Sequence, residues 1–371
     1  MTKPTAATAE GTARYRDRFH GAVAEGHFRQ SQGLWLSSIG LGSYLGNADA
    51  RTDEAYGRAL ARASELGCNV FDSAANYRFQ RSERSFGEAL ADLFSRGALA
   101  RDEVVVTTKG GYLPFDGQPP RSREEVVAYL DETFIRPGVC AFEDFVQGSH
   151  CMTPGYLAHQ LEQSLRNLKL DCIDVYYLHN PESQLAAVAG DEFYRRLHSA
   201  FEFLERAVAE GRISMYGTAT WNGYRVSSDS PEFLLLEDVV QTAHDVAGDD
   251  HHFKVVQLPV NLAMLEAFTY PYQQVRETPA TLLEAAEDLG ITVMASASLL
   301  QSRLSQGLPP IIAESLPGLR TDAQRAIQFT RSTPGVHTAL IGMSNIDHVT
   351  ENLEVAAVPP ATQEQYLHLF E

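Results

Sequence analysis

The sequence predicts an α/β fold, a (β/α)8 TIM barrel with an N-terminal extension and a long loop insertion after the third strand. Eight short apolar runs alternate with longer segments of helical spacing. Repeated β–α units force parallel strands and right-handed crossovers. Eight units in a chain of 371 residues fit a closed barrel better than an open doubly wound sheet. That sheet, the structural alternative, would normally carry G-x-G-x-x-G after its first strand, a pattern this chain lacks.

The predicted strands are nearly continuous apolar runs, as expected for strands covered on both faces. They lie at residues 38–41, 69–71, 104–108, 173–178, 213–217, 255–258, 291–295 and 338–342. Amphipathic spacing predicts helices at residues 52–66, 84–93, 154–168, 193–210, 281–289 and 322–330. Thr153 and Pro154 read as an N-cap followed by proline at the first helical position. Gly67, Gly211 and Gly290 each follow a predicted helix, where a C-terminal glycine is favoured.

Two segments lie outside this repeat. Residues 1–35 are expected to form a frayed tail and then a hairpin that plugs the barrel, with residues 36–371 forming a single barrel domain. Residues 110–152 separate the third strand from its helix and are rich in proline, glycine and aromatic residues. Long loops at this end of a barrel commonly shape substrate pockets. A solvated excursion with its own short helix at residues 123–133 is the alternative, and the sequence leaves both open.

Composition and charge narrow the classes of partner. A formal net charge of -18 repels nucleic-acid phosphates and anionic lipid, so neither nucleic acid nor membrane is expected as a partner. No stretch approaches the length of a membrane helix, and the N-terminus lacks the apolar core of a secretory signal. Four cysteines without metal-binding spacing indicate reduced thiols and a cytoplasmic protein. Oligomeric state cannot be read from the sequence.

Four polar side chains follow three neighbouring predicted strands. The second strand leads into Asp72 and Tyr77, the third into Lys109, and the fourth into His179. Because the C-terminal ends of barrel strands surround one mouth, we expect these side chains to converge.

Together the four groups make chemical sense. A phenol with a pKa of about 10 is a poor acid, but a neighbouring ammonium favours its phenolate and would ease proton release from Tyr77. Asp72 could neutralise a buried Lys109, and His179 could orient a carbonyl oxygen. Singly, Asp72 could be a loop cap, Tyr77 a packed aromatic, Lys109 a surface charge and His179 a core histidine. Jointly they favour acid catalysis beside a hydride donor, which indicates a nicotinamide cofactor and no metal.

The same residues carry a resemblance to the aldo-keto reductase superfamily, which covers residues 40–353. Three segments resemble family motifs in order: residues 69–77 (Asn-Val-Phe-Asp-Ser-Ala-Ala-Asn-Tyr), 82–90 (Ser-Glu-Arg-Ser-Phe-Gly-Glu-Ala-Leu) and 174–179 (Asp-Val-Tyr-Tyr-Leu-His). The resemblance implies a nicotinamide-dependent (β/α)8 reductase. It also implies that Asp72, Tyr77, Lys109 and His179 form its catalytic tetrad.

The resemblance further implies where the cofactor binds, with NADP (NADPH) favoured and NAD (NADH) as the alternative. Gln257 matches a residue that binds the nicotinamide carboxamide. Residues 342–352 resemble the segment that holds the adenosine phosphate. There Gly342 and Ser344 would lie near the phosphate, and Glu351 and Asn352 near the adenine.

Three positions depart from the family pattern. The family usually has Ser-Asn after the fifth strand, where this chain has Ala219 and Thr220. Ser296 stands where an aromatic usually stacks on the nicotinamide, and His348 where many members place Arg or Gln against the ribose phosphate. Thr220, Ser296 and His348 are still expected at the cofactor. Histidine carries only part of a charge at neutral pH, so it would hold a 2′-phosphate less firmly than arginine.

Three functions are compatible with this sequence. The first is reversible reduction of an aldehyde or ketone, with Tyr77 as general acid. The second is a redox-sensing or regulatory reductase-like protein with little turnover, which the altered nicotinamide contacts suggest. The third is oxidation of an alcohol or sugar on a tightly held cofactor. The substrate is expected to contact Tyr112 and Trp221, and its identity cannot be read.

Overall fold

Eight parallel strands close into a barrel in the computed structural model, which describes residues 5–367 and 369. In chain order the strands are β1 (Phe28–Ser31), β2 (Leu34–Ser37), β3 (Ile39–Gly42), β4 (Val70–Asp72), β5 (Val105–Gly110), β6 (Ile173–His179), β7 (Ile213–Ala219), β8 (Phe253–Pro259), β9 (Gln273–Val275), β10 (Thr278–Ala280), β11 (Thr292–Ser296) and β12 (Val336–Gly342). Strands β3 to β8, β11 and β12 form the barrel, and β12 closes it by pairing with β3. The predicted barrel is confirmed, and the open sheet is excluded.

Helices alternate with these strands. They are α1 (Ala9–Asp17), α2 (Ala50–Glu65), α3 (Arg81–Ser95), α4 (Arg123–Leu130), α5 (Pro154–Leu168), α6 (Gly190–Ala209), α7 (Leu236–Ala247), α8 (Glu266–Thr269), α9 (Leu282–Asp288), α10 (Pro310–Ser315), α11 (Asp322–Ser332), α12 (Ile346–Leu353) and α13 (Gln363–Leu367). The helices that connect each barrel strand to the next element of the repeat are α2, α3, α5, α6, α7, α9, α11 and α12. The repeat therefore has its full set of crossovers.

The apolar side chains form two layers of core. The larger layer lies between the barrel and its helices, where Phe71 of β4 packs edge-on against Phe86 of α3. The smaller fills the barrel interior with inward-facing residues such as Val105, Val175 and Met294. Burying each such side chain stabilises the fold by roughly 1.5–3 kcal/mol. The barrel is therefore a packed body whose polar site lies at one end.

An antiparallel hairpin precedes the barrel. Strands β1 and β2 pair with Phe28 opposite Ser37, and Leu34 and Leu36 of β2 pack into the inner apolar layer of the barrel. The guanidinium of Arg29 donates to the backbone oxygen of Arg331 at 2.5 Å. The N-terminal end of the barrel is thus covered by the chain's own leucines.

The segment before the hairpin is not a frayed tail from Ala7 onward. The backbone N–H of Ala7 donates to the Asp174 carboxylate at 2.6 Å, and α1 begins with a side-chain cap from Thr8. Arg14 then forms ion pairs with Asp102 at 2.7 Å and Glu103 at 2.8 Å. The sequence missed these contacts because each partner lies far along the chain.

The insertion after β5 has a core of its own. Helix α4 continues into a wider π-helical turn at Asp131–Ile135, in the region predicted as a short helix. Fully buried Phe134 packs against Phe145 of the insertion and Tyr156 of α5. The segment is therefore not a solvated excursion. Among the described residues, no helix has the length and apolarity needed to cross a membrane.

Candidate active site

A cavity of about 330 Å³ opens at the C-terminal ends of the barrel strands. Asp72, Tyr77 and His179 line it, and Lys109 lies behind them in the barrel wall. The four polar residues therefore converge at one mouth of the barrel, because β4, β5 and β6 are adjacent parallel strands whose C-terminal ends lie side by side. Within the part of the chain that the structure describes, no three metal-ligating side chains are grouped together.

Asp72 and Lys109 form a buried ion pair. The ammonium of Lys109 donates to the two carboxylate oxygens of Asp72 at 2.8 and 2.7 Å, and to the backbone oxygen of Ser73 at 2.7 Å. Lys109 is 1% exposed and Asp72 is 4% exposed. Burial lowers the pKa of Lys109, and the Asp72 carboxylate opposes that shift. The pair holds one positive and one negative charge at a fixed position.

Two further side chains complete the hydrogen bonding of Asp72. The hydroxyl of Thr107 donates to its Oδ1 at 2.7 Å, and the amide of Gln257 donates to the same oxygen at 2.9 Å. Sequence reasoning missed Thr107 and assigned Gln257 to the cofactor alone. Side chains alternate between the two faces of β5, so Thr107 lies on the same face as Lys109. This alternation could have identified Thr107 from the sequence.

Tyr77 lies above this pair. The ammonium of Lys109 is 5.0 Å from the centre of its ring, and Tyr44 packs edge-on against it at 5.0 Å. Burial, followed by the charge of Asp72 and by Tyr44, raises the pKa of Tyr77 well above 10. The sequence led us to expect that the Lys109 ammonium would favour the phenolate, whereas burial is the largest influence on the pKa of Tyr77 and acts in the opposite direction. Tyr77 is therefore a neutral phenol that carries its proton.

His179 lies between two tyrosine rings. Its ring centre is 5.8 Å from that of Tyr77 and 5.0 Å from that of Tyr112, both edge-on. Its Nδ1 is buried and has no hydrogen-bond partner among the described residues. Burial, the charge of Lys109 and nearby His150 lower the pKa of His179 well below 6.5. The imidazole is therefore neutral at physiological pH, and it can still form a hydrogen bond to a bound group.

Four of the residues predicted at the cofactor line the same cavity: Thr220, Gln257, Ser296 and Gly342. The hydroxyl of Thr220 is buried without a partner among residues 5–367 and 369, although its backbone N–H donates to Gln257 at 2.8 Å. A buried hydroxyl left unpaired costs roughly 1–3 kcal/mol, so a ligand that satisfies it gains affinity.

The other four predicted cofactor residues, Ser344, His348, Glu351 and Asn352, lie beyond β12 and outside the cavity lining. His348 is exposed on α12, and Asn345 caps the start of that helix through its side chain. Glu351 already accepts a hydrogen bond from Thr321 at 2.9 Å, and Asn352 is buried. Of this group, Ser344 and His348 are the ones left accessible at the helix start.

Aromatic side chains form the rim of the cavity. Tyr112 and Trp221, both predicted to contact substrate, line it together with Tyr44, which sequence reasoning did not single out. Tyr44 is 54% exposed and Trp221 is 42% exposed, so the mouth presents open ring faces. Tyr44 lies two residues after the first barrel strand, and that position was the signal that could have identified it.

A buried carboxylate holds the loop that carries Trp221. Glu182 accepts hydrogen bonds from the backbone N–H groups of Trp221, Asn222 and Gly223 at 2.9, 3.2 and 3.3 Å. Burial raises the pKa of Glu182 to about 7. Sequence reasoning missed this residue, since its partners are backbone groups that no motif marks.

Comparison with known proteins supports the resemblance read from the sequence. The model of the Aldo/keto reductase family matches residues 38–308. A D-threo-aldose 1-dehydrogenase of Pseudomonas sp. is 30% identical over 343 residues, covering 88% of this chain and 91% of that protein. A probable voltage-gated potassium channel subunit beta of Oryza sativa subsp. japonica is 24% identical, covering 88% of this chain and 90% of that protein.

A solved structure shares the fold. The aldo/keto reductase of Klebsiella pneumoniae, crystallised with NADP and acetate, superposes with a TM-score of 0.61 at 22% identity, covering 93% of this chain and 94% of that chain. The family match spans most of the barrel, and the Pseudomonas relative extends over nearly the whole chain. The chain belongs to the aldo/keto reductase family of oxidoreductases.

Proposed function

We propose that this protein reduces an aldehyde or ketone, reversibly, with a nicotinamide cofactor and with Tyr77 as the proton donor. The convergence of Tyr77, His179 and the Asp72–Lys109 pair on one cavity is the observation that carries the proposal. Family membership supports the same reaction class.

The residues present fit a nicotinamide dinucleotide, with NADPH favoured over NADH. The unpaired hydroxyl of Thr220, the amide of Gln257 and Ser296 line the cavity at the ends of the neighbouring strands β7, β8 and β11, and the Gln257 amide donates to Asp72 across the barrel. Ser344 and His348, at the capped start of α12, would hold the adenosine phosphate, and Glu351 and Asn352 the adenine. The NADP bound to the Klebsiella protein supports this assignment. When bound, the cofactor supplies the hydride.

Each catalytic side chain then has one task. His179, neutral and edge-on to Tyr77, orients the carbonyl oxygen toward the phenol. Tyr77 gives its proton to that oxygen, and the Lys109 ammonium stabilises the negative charge left on the ring. Asp72 keeps Lys109 charged in a buried position. Tyr112 and Trp221 contact the substrate at the mouth.

Oxidation of a sugar is a second candidate. The Pseudomonas relative is named for that reaction. The cavity also carries groups suited to hydroxyl-rich substrates, since Asn180 donates to the Tyr112 hydroxyl at 3.3 Å beside open aromatic faces. The same four residues would serve in the reverse direction: Tyr77 would have to act as the phenolate, stabilised by the Lys109 ammonium, and take the proton of the alcohol, while the oxidised cofactor would accept the hydride.

A fluorescence titration tests the cofactor assignment. The chain has two tryptophans, Trp221 at the mouth and Trp35 in the hairpin. NADPH or NADH is expected to quench Trp221, so Trp35→Phe should retain the signal and Trp221→Phe should lose it. Absence of binding by either nucleotide, in protein that carries none from purification, would overturn the assignment.

A panel of aldehydes, ketones, alcohols and aldoses tests the reaction. Tyr77→Phe is expected to lower turnover by about 10²–10⁴-fold while leaving NADPH binding unchanged. Tyr270→Phe, which removes the hydroxyl of a half-exposed tyrosine outside the cavity lining, serves as the control. An unchanged rate for Tyr77→Phe would remove the proton-donor role. Tight NADPH binding by wild-type protein without turnover on any substrate would favour the redox-sensing alternative.

A further inference from the structure

A second histidine, contributed by the insertion, contacts the backbone of His179. The Nε2 of His150 lies 2.8 Å from the backbone oxygen of His179. His150 is 2% exposed, so no water competes for this contact. The insertion therefore reaches the end of β6 at the residue that the proposed reaction uses.

The direction of this hydrogen bond is fixed. A carbonyl oxygen only accepts, so Nε2 of His150 must carry the proton and Nδ1 must accept. The side-chain amide of Gln184 lies 2.8 Å from Nδ1, and the oxygen of the same amide accepts from Arg196 at 2.6 Å. Burial lowers the pKa of His150 to about 4, in keeping with a neutral ring. Arg196, Gln184 and His150 thus form one chain of hydrogen bonds that ends on His179.

The hydrogen bond from His150 reaches the backbone at a point where the chain changes direction. Asn180 follows His179 in the left-handed region, with φ of 48°, a conformation that costs energy for a residue other than glycine. Its N–H donates to the backbone oxygen of Ala219 at 2.6 Å. The peptide between His179 and Asn180 is therefore held from both sides, by His150 at its oxygen and by β7 at its nitrogen.

The insertion approaches closely enough to make this contact because Gly111, the first residue after β5, has no side chain. Gly111 has φ of +135°, and a Cβ there would lie 2.9 Å from Nε2 of His150 and 3.2 Å from the oxygen of His179. Tyr112, the next residue, packs edge-on against the rings of His150 and His179, at 5.1 and 5.0 Å. Both ends of the insertion thus contact His179.

We propose that His150 is a positioning residue, which sets the place of the His179 ring by holding the His179 backbone. The proposal rests on the catalytic role proposed for His179. His150 does not line the cavity, so it acts through His179 and not on the substrate. The insertion is then a structural part of the active site and not only a wall of the substrate pocket.

Three variants separate positioning from general destabilisation. His150→Phe keeps the edge-on contact with Tyr112 but removes the N–H donor, whereas His150→Gln can return an N–H near Nε2. His159→Phe is the control, since His159 packs against Phe134 of the same insertion at 5.2 Å. His150→Phe is expected to lower kcat by about 10²-fold, the loss that a misplacement of roughly 1 Å produces, with KM and NADPH affinity unchanged. His150→Gln should recover most of the rate, and His159→Phe should keep all of it.

A second measurement needs no turnover. Side-chain ¹⁵N signals of the histidines, with those of His179 assigned from the His179→Gln spectrum, should shift for His179 in His150→Phe and return toward wild type in His150→Gln. Unchanged His179 signals in His150→Phe, or an equal loss of kcat in His159→Phe, would overturn the proposal. If wild-type protein turns over no substrate and the signals still shift as expected, the positioning role stands and the proposed reaction fails.

Discussion

Removing one charge of the buried Asp72–Lys109 pair should destabilise the fold more than removing both. Lys109→Met leaves the Asp72 carboxylate buried without a cation, and Asp72→Asn leaves the ammonium without an anion. Each partner is at most 4% exposed, so water cannot replace the lost charge. Breaking a buried pair from one side costs about 3–5 kcal/mol, which we expect for each single variant.

The double variant keeps most of the hydrogen bonds around this position. An asparagine at position 72 can still accept from Thr107 and Gln257, which now donate at 2.7 and 2.9 Å. The backbone oxygen of Ser73 loses its donor, at a cost of about 1–3 kcal/mol. The two single losses together should therefore exceed the double loss by at least about 3 kcal/mol.

Urea unfolding of the wild type, the two single variants and the double variant measures this coupling. Turnover should be lost in all three variants, because two of them lack Lys109 and in Asp72→Asn the lysine has lost the carboxylate that keeps it charged beside Tyr77. The double variant is thus expected to be more stable than either single variant and still inactive. Single losses that simply add up in the double variant would refute the reasoning, since they would mean that the two charges do not stabilise each other.

Three further outcomes follow from single residues. Because burial raises the pKa of Glu182 to about 7, from about 4.5, the protonated carboxyl stabilises the folded state and this contribution is lost as pH rises. Between pH 5 and 7.5 the wild type should lose about 2 kcal/mol of unfolding free energy relative to Glu182→Gln, as urea unfolding at the two pH values will measure. Thr220→Val replaces an unpaired buried hydroxyl, so it should raise unfolding free energy by about 1–3 kcal/mol yet weaken NADPH binding in a fluorescence titration. His348→Arg should raise affinity for NADPH more than for NADH, by an amount that falls as salt is added; equal gains for both nucleotides would place His348 away from the 2′-phosphate.

The barrel was predictable because its strands are apolar on both faces and because the segments between them carry helix start and stop signals. Helix α5 covers the predicted residues, since Thr153 and Pro154 start it and Lys169 ends it in the left-handed region. Strands β9 and β10 were not predicted, because three-residue strands are too short to show any alternation. The ion pairs of Arg14 in α1 depend on partners 89 and 88 residues away, which local pattern cannot reveal.

The four converging polar residues of the candidate site were predictable, but the side chains that support them and the energetics of the site were not. Position after a strand was enough to bring Asp72, Tyr77 and His179 into one group. The direction of the Tyr77 pKa shift depends on how deeply the ring is buried, which a sequence does not state. His150 was invisible for a related reason, since its role is set by a backbone oxygen on another strand.

The insertion also leaves and rejoins the barrel at one point. The N–H of Cys151 donates to the backbone oxygen of Gly111 at 2.9 Å, and that of Leu113 to Ser149 at 2.7 Å. A loop whose ends are already joined adds little to the entropy of folding when its length changes, about 0.6 kcal/mol for each doubling. Residues 114–148 can therefore change in length at little cost in chain entropy, as long as Phe134 keeps its packing against Tyr156 of α5. These residues are therefore a suitable place to change substrate preference by design, provided that Tyr112 and His150 are retained.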